Sequence, residues 1–131
     1  MQETDIIFAE RSNSALQQKT VVFAREVRSH AMELLKCSWA DRKSIDQFYR
    51  SGVSVGANVR EAIYAESPKD FVHKLKIAEK ELGEFFYWLG LLSSEPSIIG
   101  AQVGDNLCAQ SQEIGKLLAS SIITMKRKHS L

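Results

Sequence analysis

Two prolines and seven glycines are all the punctuation this 131-residue chain carries. A sandwich or barrel of many short strands needs more turns than that, so long regular elements are expected. Two cysteines, Cys37 and Cys108, are too few and too unpatterned for a disulfide framework or a zinc site. Both are expected as free buried thiols. No apolar run approaches the ~20 residues of a bilayer span. The first residues, MQETDIIFAE, put acid where a secretory signal needs base. A cytoplasmic protein with no membrane partner is the expectation. Excess charge is missing too: 17 Lys+Arg against 16 Asp+Glu leave +1, so any polyanion-binding surface must come from local clustering.

What is present is helical periodicity. Residues 1–13 show no period and are expected to fray. From Ser14 to Cys37, Leu16, Phe23, Val27, Ala31 and Leu34 recur at helical spacing. Ser38, with Asp41 three residues on, is a candidate capping box for the next helix. There Ile45, Phe48, Gly52, Val55, Val59, Ala62 and Glu66 keep a 3–4 alternation over three repeats. In ESPKD, proline sends Ser67 out of helical geometry and opens a third helix, with Ser67 as its cap. Phe71, Leu75, Ala78, Leu82, Phe85, Leu89 and Leu92 form its seam. A fourth helix is predicted from about Gly100 to Arg127 on Val103, Leu107, Ile114, Leu118, Ser121 and Met125. Short connections force such helices antiparallel, so the expected fold is all-α, one up-down-up-down four-helix bundle with long helices over residues 1–131.

The stretch SGVSVGANVREA, residues 51–62, concentrates small residues inside the second helix. It has no preceding strand and no lysine after Gly56, so it is no phosphate loop. The seam also runs through it without a phase shift, so it is no linker. Each glycine costs a helix about 1 kcal/mol relative to alanine. Close helix approach at Gly52, Gly56 and Ala57 is the reading that offsets that cost.

Residues 51–92, SGVSVGANVREAIYAESPKDFVHKLKIAEKELGEFFYWLGLL, resemble the signature of a bacterial four-helix-bundle family encoded in intervening sequences of 23S ribosomal RNA genes. That family is taken to include the accessory variability determinants of diversity-generating retroelements. The resemblance is carried by Ser54, Gly56, Ala57, Asn58 and Glu61 on the second helix. On the third it is carried by Ser67, Phe71, Lys74, Leu75, Ala78, Glu81, Glu84, Tyr87, Trp88 and Leu89. The closing LLASSIITMKRK is similar as well. It implies a ring-like homopentamer with no known catalytic activity and, for the retroelement branch, binding to RNA or DNA and to a reverse transcriptase.

Chemistry of other kinds finds little support in the residues. A di-metal bundle needs Glu-x-x-His pairs, and none of His30, His73 and His129 follows a glutamate by three. No metal, cofactor or small-molecule substrate is expected. Nothing supplies a nucleophile elbow or oxyanion loop, so no enzyme is expected. His73, Leu75 and Lys76 match part of a histidine-phosphotransfer pattern, but Ile77 stands where that pattern has glycine. A phosphotransfer bundle centred on His73 is the alternative function. Asn58 and Glu61, three apart, are read as a polar network fixing helix register or a subunit interface, with an RNA contact as the second reading. EFFYWLG holds more rings than one core face can take, and Tyr87 and Trp88 are assigned to an oligomer interface. The basic excess lies in residues 96–131, at Lys126, Arg127 and Lys128, where it complements the helix dipole. Those three are the first candidates for contact with nucleic acid. Arg25, Arg28 and Lys74 are the second.

Overall fold

A computed structural model describes residues 14–131, and those residues form four long helices. They are α1 (Ala15–Cys37), α2 (Arg42–Ile63), α3 (Pro68–Ser93) and α4 (Ala101–Lys128). Each packs on its chain neighbours, and α4 closes back on α1 less extensively. The result is an all-α, antiparallel four-helix bundle.

The seams decide what faces inward. Phe23, Phe48 and Phe85 meet at the centre from three helices, with ring centroids 5.0 Å (Phe23–Phe85, edge to face) and 5.1 Å (Phe48–Phe85) apart. Ile45, Val55, Leu75, Leu107, Ile114 and Leu118 are buried around them. Among the described residues the buried polar side chains are Thr20, Ser51 and Ser111, which donate their hydroxyl protons to carbonyls of their own helices. Burial therefore costs them no unmet hydrogen bond.

Several expectations are corrected here. Ser38 caps nothing with its side chain. Residues Trp39–Asp41 form a 3-10 turn instead, and Asp41 precedes α2 without a side-chain cap. Side-chain caps form on α1, where Ser14 Oγ accepts from the Gln17 amide at 3.1 Å, and on α3, where Ser67 Oγ accepts from the Asp70 amide at 3.0 Å and Asp70 Oδ2 accepts from the Glu66 amide at 3.2 Å. In α4 the buried stripe runs Leu107, Ser111, Ile114, Leu118, Ile122, so Ile122 replaces Ser121 on the seam. Glu66, the last position of the second seam, lies past the end of α2 and is exposed. Cys37 is exposed and Cys108 half-buried; neither is a buried thiol. The fraying expected of residues 1–13 lies outside the described residues. Among the described residues no helix is long and apolar enough to cross a membrane.

Candidate functional site

The small residues of α2 fall on two different faces. A Cβ on Gly52 would stand 2.7 and 3.0 Å from the two methyls of Val27 and 3.1 Å from Phe85 Cδ2. A Cβ on Gly56 would stand 3.2 Å from the carbonyl oxygen of Thr20. Both glycines therefore sit where α1 comes closest. Ala57 is exposed, away from that contact, because the next residue on a helix is turned by about 100°.

Asn58 and Glu61 do not form one network. The Asn58 amide donates to the Ser54 carbonyl at 2.9 Å, inside its own helix. Glu61 pairs with Lys74 of α3 at 3.1 Å, which gives that lysine a structural partner. Farther along the same pair of helices, Arg50 forks onto Glu81 at 3.1 Å and onto Glu84. Its Nε donates to Gln47. The Glu84 carboxyl lies below its usual range, chiefly because Arg50 donates to it and secondarily because Trp88 Nε1 does. Of the crowded rings, Phe86 packs against the core, Trp88 is half-buried, and Tyr87 is 63% exposed with its ring set edge-on to Trp88.

The fold also sorts charge. The starts of α1 and α3 and the ends of α2 and α4 lie together at one end of the bundle. Cutting each helix at its midpoint assigns residues 14–25, 53–80 and 115–131 to that half. It holds eleven basic side chains: Lys19, Arg25, Arg60, Lys69, Lys74, Lys76, Lys80, Lys116, Lys126, Arg127 and Lys128. Against them stand four carboxylates of the same half, Glu61, Glu66, Asp70 and Glu79, a net of +7, and Glu113, just across the cut on α4, pairs with Lys19 at 2.7 Å. The other half, residues 26–52 and 81–114, holds five basic and nine acidic side chains, a net of −4. Residues 1–13 carry one basic and three acidic, which completes the overall +1. Two helix starts and two helix ends share the basic end, so their dipoles largely offset each other and side chains set its sign.

The predicted contact residues divide accordingly. Lys126 and Arg127 are exposed on the last turn of α4, and Lys128 follows them. Lys74 belongs to the same half, bound to Glu61. Arg25 and Arg28, both exposed, straddle the waist of the bundle, about 15 Å along α1 from its start at 1.5 Å per residue. Sequence reasoning passed over Lys19, Arg60, Lys69, Lys76, Lys80 and Lys116 as contact residues. Counting charge by bundle half, after pairing the predicted helices antiparallel, would have found them.

A cavity of about 230 Å³ opens at the basic end, where all four helices contribute. Its floor is apolar: Leu16, Val59, Ile63, Phe71, Leu75 and Met125. Ser14, Ser120, Ser121 and Thr124 line its walls with hydroxyls, and Lys128 and His129 complete the lining. No carboxylate lines it among the described residues. His73 is exposed near the start of α3, with Ile77 one turn on and half-buried. No group of three or more His, Cys, Asp or Glu converges on a metal position among the described residues.

Fold and site together define a four-helix bundle whose one end is basic and holds a cavity to which all four helices contribute. The model of the 23S rRNA-intervening sequence protein family matches residues 12–120, and the chain belongs to that family. It is similar to a crystal structure from Bacteroides thetaiotaomicron, a protein with unknown function from the S23 ribosomal protein family. The two are 37% identical with a TM-score of 0.78, over 82% of this chain and 98% of that one. Neither match names a retroelement protein. No protein of curated function matches the chain.

Proposed function

We propose that this protein is a non-catalytic, homo-oligomeric scaffold that engages nucleic acid with the basic end of its bundle. The observation that carries the reading is the charge asymmetry, eleven basic against four acidic side chains in one half of a chain whose total is +1. Phosphate contacts supply most sequence-independent affinity for nucleic acid, and they need local rather than total charge. Self-association is supported by large apolar side chains left in water, with Trp39 64% and Tyr87 63% exposed and Leu91 one turn beyond Tyr87. Assembly, into the pentamer the family resemblance implies, multiplies a contact that one copy makes weakly.

Titration of the purified protein into fluorescein-labelled RNA and DNA at 50 mM salt tests this. Micromolar affinity, indifferent to sequence and falling steeply with salt, is expected. Replacing Lys126, Arg127 and Lys128 with alanine should weaken it severalfold or more. Absence of binding at 50 mM salt would leave a protein partner, such as a reverse transcriptase, as the better reading.

A further inference from the structure

Resting on that reading, we infer that the cavity at the basic end receives one unpaired nucleobase while the surrounding cations hold the flanking phosphates. Size comes first: a cavity of about 230 Å³, open to solvent, has room for one pyrimidine ring with its substituents. The lining suits a flat heteroaromatic body. Phe71 and Met125 offer a polarizable surface for its faces, and Ser121 and Thr124 can donate to or accept from its polar edge.

Its position fits as well. The mouth carries Lys128 and His129, and Lys126 and Arg127 lie on the same final turn of α4. A base entering between α1 and α4 therefore brings its own phosphates against that turn. A paired base is withheld by its partner strand, so the cavity reads single strands, bulges and loops, where bases can be splayed out. The interface would thus bind duplex through charge alone and add affinity wherever a base is free.

Three labelled RNAs separate the claims: a duplex with one central bulged uridine, the same duplex with an abasic residue in the bulge, and the fully paired duplex. With the full-length wild-type chain at 50 mM salt, the bulged duplex is expected to bind at least about tenfold tighter than the other two. Ser121→Leu, which fills the cavity, should reduce that preference to under threefold and leave affinity for the paired duplex unchanged. Thr124→Leu, at an exposed position where folding is less at risk, should do the same. Equal wild-type affinity for the bulged and abasic duplexes would overturn the base pocket while the basic interface stands. A full preference surviving in both folded variants would overturn its location. Failure of all three RNAs to bind would remove the interface itself, and the pocket with it.

Discussion

Gly83 and Gly52 lie in adjacent helices and answer to opposite requirements. Nothing stands within 4 Å of a Cβ placed on Gly83, so Gly83→Ala is expected to stabilise the protein by about 1 kcal/mol through helix propensity. Gly52→Ala must push into Val27, a β-branched side chain with little rotamer freedom, and into the buried Phe85 ring. Overpacking costs ~1–3 kcal/mol and should outweigh the propensity gain, for a net loss of about 1–2 kcal/mol. Gly56→Ala meets a single backbone oxygen at 3.2 Å and should fall within about 1 kcal/mol of wild type. Gly56→Leu has no room beside the α1 backbone and should lose about 2–3 kcal/mol. Urea unfolding of the four variants checks the order. The close approach was legible because heptad spacing placed Gly52 on the seam. Ala57 was misassigned because small size alone does not say which way a residue points.

At the scale of the element, caps and cross-helix pairs divide what the sequence shows from what it hides. The bounds of α1 and α4 came within a residue or two because each buries one stripe with a 3–4 period, whereas α2 is shorter than expected by three residues at each end. Ser38 and Ser67 present the same pattern, a serine with aspartate three residues on, yet only Ser67 caps. Pro68 holds Ser67 extended at the first turn of α3, whereas the chain after Ser38 winds into a 3-10 turn. Ser67→Ala should therefore cost about 1 kcal/mol, and Ser38→Ala only a few tenths, both read from thermal melts. The Arg50 fork to Glu81 and Glu84 joins α2 to α3 on a solvated face, so its contribution is small, ~0.2–1 kcal/mol. Its pH dependence has a definite sign. The Glu84 carboxyl is depressed in the folded state, so the stability it contributes is present at neutral pH. That stability is lost as pH falls through and below the ordinary carboxylate range. Glu84→Gln should be less stable than wild type at pH 7, and the gap should close on acidification toward pH 3. A gap that is constant or widens would contradict the pairing.

For the whole molecule, the informative property is the distribution of charge. A tally along the chain finds a basic bias only after residue 96, because the basic end is assembled from three separate stretches that an antiparallel bundle brings together. The sequence supplied the helices and Lys126, Arg127 and Lys128; the other cations of that end emerge only once the helices are paired antiparallel, and the cavity required the fold. Exposed rings and aliphatic side chains belong to this scale too. Light scattering at micromolar concentration is expected to give a multiple of 14.7 kDa, five copies on the family resemblance, and Tyr87→Lys should lower it. A monomer mass for the wild type would remove self-association from the account. The central claim is that nucleic acid is held by the basic end and not by charge in general. Two triple-alanine variants with the same change in net charge test it most directly, one at Lys126, Arg127 and Lys128 and the other at Arg28, Lys36 and Lys43 in the opposite half. Affinity for a fixed RNA is followed against salt, with each lost phosphate contact lowering the slope of log affinity by about 0.7–0.9. The account predicts a loss of roughly two to three contacts per copy for the first variant and a wild-type slope for the second. Equal losses from both, or the larger loss from the second, would contradict it.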